Sequence, residues 1–311
     1  MQIAVIVPAY NEEISVGGVV KEFKEALPEA RIYVGDNNSR DKTAERAEEA
    51  GATVIPCRIQ GKGNAVRYML DIIEADIYVM VDADLTYSAE NIREMLQPVI
   101  DDKADMVVGM RKQVNRKAFT LTHRIGNSLL TAMLNRTFKV QLKDILSGYR
   151  VISRRMVDNL ILLSRGFEIE VELTIRSLQE QFRIHEIPVN YRRRIDGSES
   201  KLSTWSDGFL ILYTIITLFR DYNPMNFFVL LSTIFFLAGS GTGIYLFVIY
   251  LQTGLMYHIG LAIVTAICIL LSVIIFFMGL LLDSNYRSWR MAQREIRRIR
   301  ATLNQMRKIG E

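Results

Sequence analysis

Hydrophobic and polar positions along the first two thirds of the chain alternate between two kinds of block. Short runs rich in Val and Ile predict buried strands at IAVIVPA (3–9), RIYVGD (31–36), ATVIPC (52–57) and DIYVMVDAD (76–84). Amphipathic segments between them predict helices from about Val16 to Ala26, from about Thr43 to Ala50 and over Asn64–Ile73. Strands that alternate with helices predict an α/β domain, in which helices wrap a largely parallel sheet.

Polar clusters follow three of these predicted strands, at PAYNE (8–12), DNNSRD (36–41) and DAD (82–84). In a parallel sheet, ligands collect beyond the carboxyl ends of the strands, so the clusters are candidate site residues. Asp82 and Asp84 need a partner, because a carboxylate is costly to bury unless it is paired. The alternative is an Asp-rich turn in which Asp84 caps a helix that begins near Ala89.

Two long uncharged runs occupy residues 226–251 and 259–282. Each is longer than the roughly 20 residues that a helix needs to cross a bilayer, so both are predicted transmembrane helices. The link between them, at 252–258, contains no Lys or Arg, whereas eight Lys and Arg residues follow Asp283. The positive-inside rule then predicts a hairpin with both ends of the chain in the cytosol.

The segment at 203–225 has an apolar core too short to span the bilayer, with Trp205 and Tyr213 as aromatic anchors. We therefore expect four parts: a cytosolic domain (1–202), an interfacial amphipathic helix (203–225), a transmembrane hairpin (226–283) and a basic cytosolic C-terminal helix (284–311). Gly239 and Gly243 form a GxxxG pair, which permits close packing within the hairpin or between the protomers of a homo-oligomer.

Charge and cysteine content narrow the choice of partners and compartment. The net charge is +4, but the basic excess adjoins a predicted membrane exit, which favours anionic lipid headgroups over nucleic acid. Cys268 falls inside a predicted span, so a disulfide with Cys57 is not expected and a reducing compartment fits. The chain opens directly on a strand, with no pattern of a cleavable signal, which again predicts a cytosolic domain at the cell membrane.

Seven short segments occur in a characteristic order: VPAYNEE, VGDNNSRDKT, GKGNAVR, DADLTY, VVGMRK, DILSGYR and GSESKL. No GxGxxG or Walker motif follows the first strand. The ordered set resembles the inverting GT-A glycosyltransferases, in the branch of polyprenyl-phosphate glycosyltransferases that includes dolichyl-phosphate mannose synthase and bacterial polyisoprenyl-phosphate glucosyltransferases. The resemblance implies a Rossmann-like GT-A domain that transfers one hexose from a nucleotide-sugar to a membrane polyprenyl or dolichyl phosphate. UDP-glucose is the favoured donor, because the bacterial glucosyltransferases share the two-span architecture, and GDP-mannose is next.

The resemblance also implies a metal site at DADLTY. Asp84 would contact Mg²⁺ or Mn²⁺ directly, and Asp82 would support the metal or contact the ribose. Thr86 stands where the family often has Gln as a further ligand, and a hydroxyl is the poorer ligand. Such a cation would act as a Lewis acid that neutralises the diphosphate of the donor.

The family's nucleotide pocket maps onto Pro8, Tyr10, Asn11, Glu12 and Asp36, with Asp82 and Lys62 nearby. Pro8 and Asn11 have an alternative role as simple turn formers after a strand. The GKGN turn that contains Lys62 is either a phosphate-binding turn or a plain helix entry.

The acceptor phosphate would be bound by residues that follow the DxD motif: Arg111, Arg124, Ser128, Arg194 and Lys201. Arg124 and Ser128 stand four residues apart on a predicted helix and share a face. Any single Arg has a solvated surface position as its alternative. Asp144, in DILSGYR, is the candidate carboxylate near the reacting centre, where it would orient the acceptor or stabilise positive charge on the sugar. Its alternative is a loop or capping residue.

Two other classes of function fit the sequence less well. A processive polysaccharide synthase would be expected to carry a QxxRW motif and more spans, and the sequence has neither. A non-catalytic membrane scaffold would not need Asp84, Arg111, Arg124 and Arg194 together. The sequence therefore favours a single-transfer enzyme.

Overall fold

The computed structural model describes residues 1–112, 131–132, 134–136, 138–166, 168–194, 216–217, 220, 224–255 and 258–309. They fall into two compact units, Met1–Phe209 and Leu210–Glu311. The strands of the first unit are β1 (Ile3–Ala9), β2 (Arg31–Asp36), β3 (Thr53–Pro56), β4 (Ile77–Met80), β5 (Met106–Lys112), β6 (Arg150–Ser153) and β7 (Ile184–Asn190). Its helices are α1 (Val16–Ala26), α2 (Thr43–Glu49), α3 (Lys62–Ile72), α4 (Ile92–Ile100), α5 (Arg154–Asn159) and α6 (Ile169–Gln179).

The seven strands form one mixed sheet in the order β3-β2-β1-β4-β6-β5-β7. The pairs β1–β2, β1–β4, β2–β3 and β5–β7 are parallel, as the alternation of elements predicts. Strand β6 runs antiparallel to both of its neighbours, β4 and β5, and this reversal was not expected from the sequence.

Successive residues of the central strands point to opposite faces of the sheet, and each face packs against its own helices. On one face Val5 and Val7 of β1 belong to a buried cluster with residues of α1 and α4. On the other, Ala4 and Ile6 pack in a second cluster with residues of α3, α5 and α6. Strands that are buried on both faces have continuous apolar sequences, so polar residues do not alternate with apolar ones in these segments.

The predicted helix boundaries are close to those observed, with two differences. Helix α3 begins at Lys62, two residues before the predicted start, and ends at Ile72. The segment after the DxD motif begins with a 3₁₀ turn, Ala89–Asn91, whose cap is Ser88: its hydroxyl accepts from Glu90 N–H at 3.3 Å. The alternative in which Asp84 caps this helix is therefore wrong.

The second unit contains two long helices, α7 (Pro224–Thr253) and α8 (Ile259–Ile309). Both are long and apolar enough to cross a membrane, within Pro224–Thr253 and Ile259–Trp289, and few of their residues are buried within the chain. The basic segment predicted as a separate helix continues α8 without a break.

Helices α7 and α8 contact each other at small residues of α7. A Cβ added at Gly239 would lie 2.8 Å from Ile269 Cδ1 of α8, and one at Gly243 would lie 3.4 Å from Thr265 Cγ2. The hydroxyl of Thr265 lies 2.8 Å from that of Thr242. The GxxxG pair therefore faces the other helix of the same hairpin. The predicted interfacial segment falls largely outside the described residues, as do Arg124, Ser128 and Lys201.

Candidate active site

The carboxyl ends of β1, β2 and β4 meet at one edge of the sheet. Ala9 at the end of β1 is in register with Asp36 at the end of β2. Val81, directly after β4, donates its N–H to the carbonyl of Ile6 at 3.1 Å. Because the three strands are parallel, the polar segments that follow them are brought together here, where open α/β sheets bind ligands.

Asp82 forms an ion pair with Lys62, which also contacts helix α6. Lys62 Nζ, in the first turn of α3, lies 2.5 Å from Asp82 Oδ1 and also contacts Glu170 Oε1 on α6. The Lys62 side chain is only 12% exposed. Burial alone would lower the pKa of Lys62, but Asp82 and Glu170 raise it above its ordinary value. Lys62 therefore stays charged and joins α3, the end of β4 and α6.

Asp84 uses its two carboxylate oxygens for different partners. Oδ1 accepts from the hydroxyl and the N–H of Thr86, at 2.6 and 3.1 Å. Oδ2 accepts from Nη2 and Nε of Arg194, at 2.6 and 3.2 Å. Asp84 is 8% exposed, so this arrangement supplies the partner that a buried carboxylate needs. Thr86 orients Asp84 here, and its role as a metal ligand stays a prediction.

Arg194 also lies near a second carboxylate. Its Nη2 is 3.8 Å from Glu12 Oε1, while Glu12 Oε2 accepts from the Ser15 hydroxyl at 2.8 Å. Burial alone would lower the pKa of Arg194, but Asp84 and Glu12 raise it above its ordinary value. The guanidinium therefore lies between the segment after β1 and the segment after β4.

Asp144 and Arg111 form a two-pronged ion pair. Arg111 Nε and Nη2 each donate to a different oxygen of Asp144 at 2.7 Å, and the Arg111 backbone N–H donates to Oδ2 at 3.1 Å. The Asp144 N–H donates in turn to Glu186 Oε1 at 2.8 Å. The Arg111 guanidinium lies over the ring of Tyr191, 5.6 Å from its centroid. Asp144 thus fixes the direction of the arginine, which is a stronger role than that of a simple loop residue.

The GKGN turn packs closely against the backbone of Ser164 and Arg165. A Cβ at Gly61 would lie 2.1 Å from the carbonyl oxygen of Arg165, and one at Gly63 would lie 2.5 Å from that of Ser164. The Gly61 N–H donates to Asn37 Oδ1 at 2.6 Å. These glycines allow the close approach that places Lys62 beside Asp82, as a helix entry does, and a phosphate-binding role for the turn stays a prediction.

The segments after β1 and β2 interlock through side chains of the predicted nucleotide pocket. Asn11 has a positive φ of 51°, its N–H donates to the Ser39 hydroxyl at 3.0 Å, and its Oδ1 accepts from Arg40 N–H at 2.8 Å. Asp36 Oδ1 accepts from Ser39 N–H at 3.2 Å. Asn11 therefore does act as a turn former. Pro8 and Tyr10 lie at the same edge, half-buried. Nucleotide contacts by all of these residues stay predictions.

Comparison with known proteins identifies the family. The sequence pattern described as Glycosyl transferase family 2 matches residues 4–161, just over half of the chain. The chain belongs to glycosyl transferase family 2. This confirms the resemblance that the ordered motifs carry.

Two relatives and one solved structure illustrate the family likeness. Glycosyltransferase AglJ of Haloferax volcanii is 31% identical over 284 residues, which cover 90% of this chain and 92% of that protein. A dolichyl-phosphate hexose transferase of the same organism is 28% identical over 214 residues, 69% of this chain and 92% of that protein. The crystal structure of Mycobacterium tuberculosis glucosyl-3-phosphoglycerate synthase in complex with Mn²⁺ and UDP-glucose has a TM-score of 0.56 and 22% identity, and covers 70% of this chain and 78% of that one. The predicted GT-A fold is confirmed.

The residues of this family 2 site fit a divalent cation in charge and in donor type. Lys62 contacts Asp82 and Glu170, and Arg194 lies near Asp84 and Glu12, so each of these cations faces two carboxylates. Carboxylate oxygens are the donors that Mg²⁺ and Mn²⁺ prefer. Among the described residues no group of three or more His, Cys, Asp and Glu side chains is arranged to hold a metal. A cation here would need further oxygens, and a diphosphate carries them.

The structure adds three residues that the sequence analysis did not single out. Glu170 contacts Lys62, and Glu186 accepts from the N–H of Asp144. Arg150 is fully buried, and it donates to the carbonyls of Ile145 and Ser147, at 2.8 and 2.9 Å, and to Thr174 Oγ1 on α6 at 2.9 Å. Burial lowers the pKa of Arg150 to about 10. A charged residue beside apolar strand residues was the available signal for Arg150, whereas Glu170 stands between Glu168 and Glu172 and had no such signal.

Proposed function

We propose that this glycosyltransferase transfers one hexose from a nucleotide-sugar to the phosphate of a membrane polyprenyl or dolichyl phosphate, with inversion. UDP-glucose is the favoured donor and GDP-mannose the next. The observation that carries the proposal is a pair of adjacent carboxylates, Asp82 and Asp84, at the ligand-binding edge of a family 2 domain whose chain continues into two helices able to span a membrane. The relative that is named a dolichyl-phosphate hexose transferase supports the choice of acceptor.

On the donor side, Asp36 and the segment at 8–12 would bind the nucleoside, with Lys62 and Asp82 beside the ribose or the diphosphate. Asp84 would bind the cation, with Asp82 in support. When bound there, Mg²⁺ or Mn²⁺ would neutralise the charge that develops on the departing nucleoside diphosphate. The solved family-fold protein that binds Mn²⁺ and UDP-glucose supports this choice of cation and nucleotide.

On the acceptor side, Arg111 is the best-placed described candidate for a phosphate contact. Its guanidinium is fixed by Asp144 and Tyr191, so it loses little freedom when it binds. Asp144 would then act through Arg111. The phosphate site would be completed by Arg194 and by Arg124, Ser128 and Lys201, of which the last three lie outside the described residues. The nucleophile needs no strong base, because the second pKa of a phosphate monoester is about 6 and its oxygen is already ionised near pH 7.

Transfer of labelled sugar to polyprenyl phosphate tests the proposal directly. Full-length protein in membranes should label the lipid from UDP-glucose in the presence of Mn²⁺, and excess chelator should stop the reaction. The activity of Asp84→Asn should be at least about tenfold lower, a loss of about 1.4 kcal/mol of transition-state stabilisation, because the proposed metal ligand loses its charge. The matched control is Asp71→Asn, an exposed aspartate on α3, which should keep wild-type activity.

The other possible results distinguish the alternatives. Labelling only from GDP-mannose would support the same class of reaction with GDP-mannose as the donor. A product that carries many sugars would point to a processive synthase. No transfer from any nucleotide-sugar, or full activity of Asp84→Asn, would overturn the proposal.

We further propose that the catalytic domain and both chain ends lie on the cytosolic side of the cell membrane. The support is the distribution of charge: the link at 252–258 has no Lys or Arg, and the stretch after Asp283 has eight.

A further inference from the structure

Asp84, the proposed metal ligand, already has a cationic partner from the chain itself. Arg194 donates two N–H groups to Asp84 Oδ2, at 2.6 and 3.2 Å, while Thr86 occupies Oδ1. The Asp84 side chain is 11% exposed and that of Arg194 is 28% exposed, so solvent screens this pair only in part. Attraction between the charges of Asp84 and Arg194 therefore stabilises this arrangement.

A divalent cation and Arg194 compete for this carboxylate, because each positive charge weakens the attraction of the other to Asp84. A Mg²⁺ ion binds oxygen at about 2.0–2.1 Å and demands near-octahedral geometry. The Arg194 guanidinium already binds Oδ2, and it would repel a second positive group on the same oxygen. Withdrawal of Arg194 leaves no buried carboxylate unpaired, provided that the incoming cation takes its place.

Arg194 has chemistry suited to a second partner once it is released. Its planar guanidinium matches phosphate with paired donors, and more than a quarter of its side chain is already exposed. Glu12 Oε1, 3.8 Å from Nη2, remains close enough to keep the arginine at the site.

We propose that Arg194 is an exchangeable counter-ion of Asp84: it neutralises Asp84 in the empty site, gives way when a divalent cation and nucleotide bind, and then binds the acceptor phosphate. The first half concerns metal binding alone, and the second half rests on the proposed function. The exchange makes donor binding strengthen acceptor binding. By thermodynamic reciprocity, acceptor binding strengthens donor binding by the same factor, and couplings of this kind are typically about 5- to 150-fold.

The first experiment titrates Mn²⁺, with and without UDP or GDP, into full-length protein in detergent by calorimetry. Arg194→Gln removes the competitor and should bind Mn²⁺ at least about fivefold more tightly than wild type without nucleotide. Arg194→Lys keeps the charge and should stay close to wild type. The matched control is Arg192→Gln, because Arg192 carries the same charge two residues away but pairs with Glu22 and Ser88.

Three results would overturn the exchange. The first is Mn²⁺ binding by Arg194→Gln that is equal to or weaker than that of wild type. The second is an equal gain in Mn²⁺ affinity in Arg192→Gln, which would make the effect one of net charge. The third is no measurable Mn²⁺ binding by either wild type or Arg194→Gln. Thermal unfolding of each variant checks that the domain remains folded.

The second experiment measures binding of a short, water-soluble prenyl phosphate, with and without Mn²⁺ and nucleoside diphosphate. Wild type should bind the probe at least about fivefold more tightly when both are present, and Arg194→Gln should lose this gain. Equal affinity in both states of the wild type, or an undiminished gain in Arg194→Gln, would contradict the second half of the proposal.

The two experiments separate this inference from the proposed function. If Arg194→Gln tightens Mn²⁺ binding but no sugar transfer is found, the exchange stands and the proposed function fails. If transfer to polyprenyl phosphate is found but Arg194→Gln leaves Mn²⁺ affinity unchanged, the proposed function stands and the exchange fails.

Discussion

At the scale of single residues, two buried ion pairs of the site join distant parts of the chain. Asp84 pairs with Arg194, which is 110 residues away, and Lys62 pairs with Glu170, which is 108 residues away. Each pair compensates a desolvation cost that either residue alone could not bear. These two cations explain how the domain can keep several carboxylates at one edge of its sheet before a ligand binds.

Tyr149 offers a test of buried polar groups beside this site. It is fully buried, packs edge-on against Phe23 with ring centroids 5.8 Å apart, and its hydroxyl has no hydrogen-bond partner among the described residues. A buried unsatisfied polar group costs about 1–3 kcal/mol, so Tyr149→Phe should raise the midpoint of thermal unfolding. Full-length protein in detergent serves for the measurement.

Tyr78 is the matched control for that substitution. Its hydroxyl donates to the carbonyl of Ile73 at 2.7 Å and accepts from Ala75 N–H at 3.2 Å and Arg154 Nη1 at 3.1 Å. Tyr78→Phe leaves these groups unpaired and should lower the midpoint. Equal loss of stability in both variants would show that the Tyr149 hydroxyl is satisfied in solution.

At the scale of elements, β6 brings the site together although it contributes no proposed ligand. It runs antiparallel between β4 and β5, and it begins at the buried Arg150. Arg150 ties the residues before β6, including Ile145 and Ser147, to α6. The loop that carries Asp144 is thereby held beside Arg111 at the end of β5.

The packing of the two long helices yields a prediction with a close control. A side chain at Gly239 would meet Ile269 and Cys268 of α8, at 2.8 and 3.2 Å from the added Cβ, whereas none of the described residues lies within 4 Å of a Cβ at Gly241. Gly239→Leu should therefore separate the helices, and Gly241→Leu should not. The readout is disulfide formation between Thr242→Cys and Thr265→Cys, whose hydroxyls lie 2.8 Å apart, with Cys57 and Cys268 replaced by serine.

The expected result is a large loss of cross-linking in the Gly239 variant and wild-type cross-linking in the Gly241 variant. Undiminished cross-linking with Leu at position 239 would mean that α7 and α8 do not pack through this glycine.

At the scale of the whole molecule, the proposed orientation in the membrane can be read by labelling. With Cys57 and Cys268 replaced by serine, His258→Cys should react with a membrane-impermeant maleimide in intact cells. Lys308→Cys should react only after the membrane is opened. The reason is the positive-inside rule applied to the uncharged link and the basic C-terminal stretch. The reverse pattern would place the catalytic domain outside.

Removal of residues 210–311 tests what the hairpin contributes. Residues 1–209 form a compact unit of their own and contain the carboxylates and cations of the candidate site. The shortened protein should still bind Mn²⁺ and nucleotide, but lose about a hundredfold or more of transfer to a vesicle-embedded acceptor. Anchoring raises the effective concentration of an acceptor confined to the same layer. Transfer to a short, water-soluble prenyl phosphate should fall much less, and equal activity on vesicles would show that the hairpin is dispensable.

The sequence alone determined the features that depend on local pattern. The strand-like runs at 3–9 and 31–36, the helix at Val16–Ala26 and the two long apolar runs all appear in the structure close to their predicted bounds. The ordered motifs also identified the family and the GT-A fold correctly. Such features are predictable because periodicity and burial leave a mark on consecutive residues.

Only the tertiary structure decided which side chains meet. The reversed direction of β6, the contact of Glu170 with Lys62 and the pairing of Arg194 with Asp84 have no signature in the neighbouring sequence. An ion pair of this kind depends on where two distant segments are placed and on how much water is removed between them. Those are properties of the assembled sheet and its helices, because burial there determines how strongly each charge needs the other.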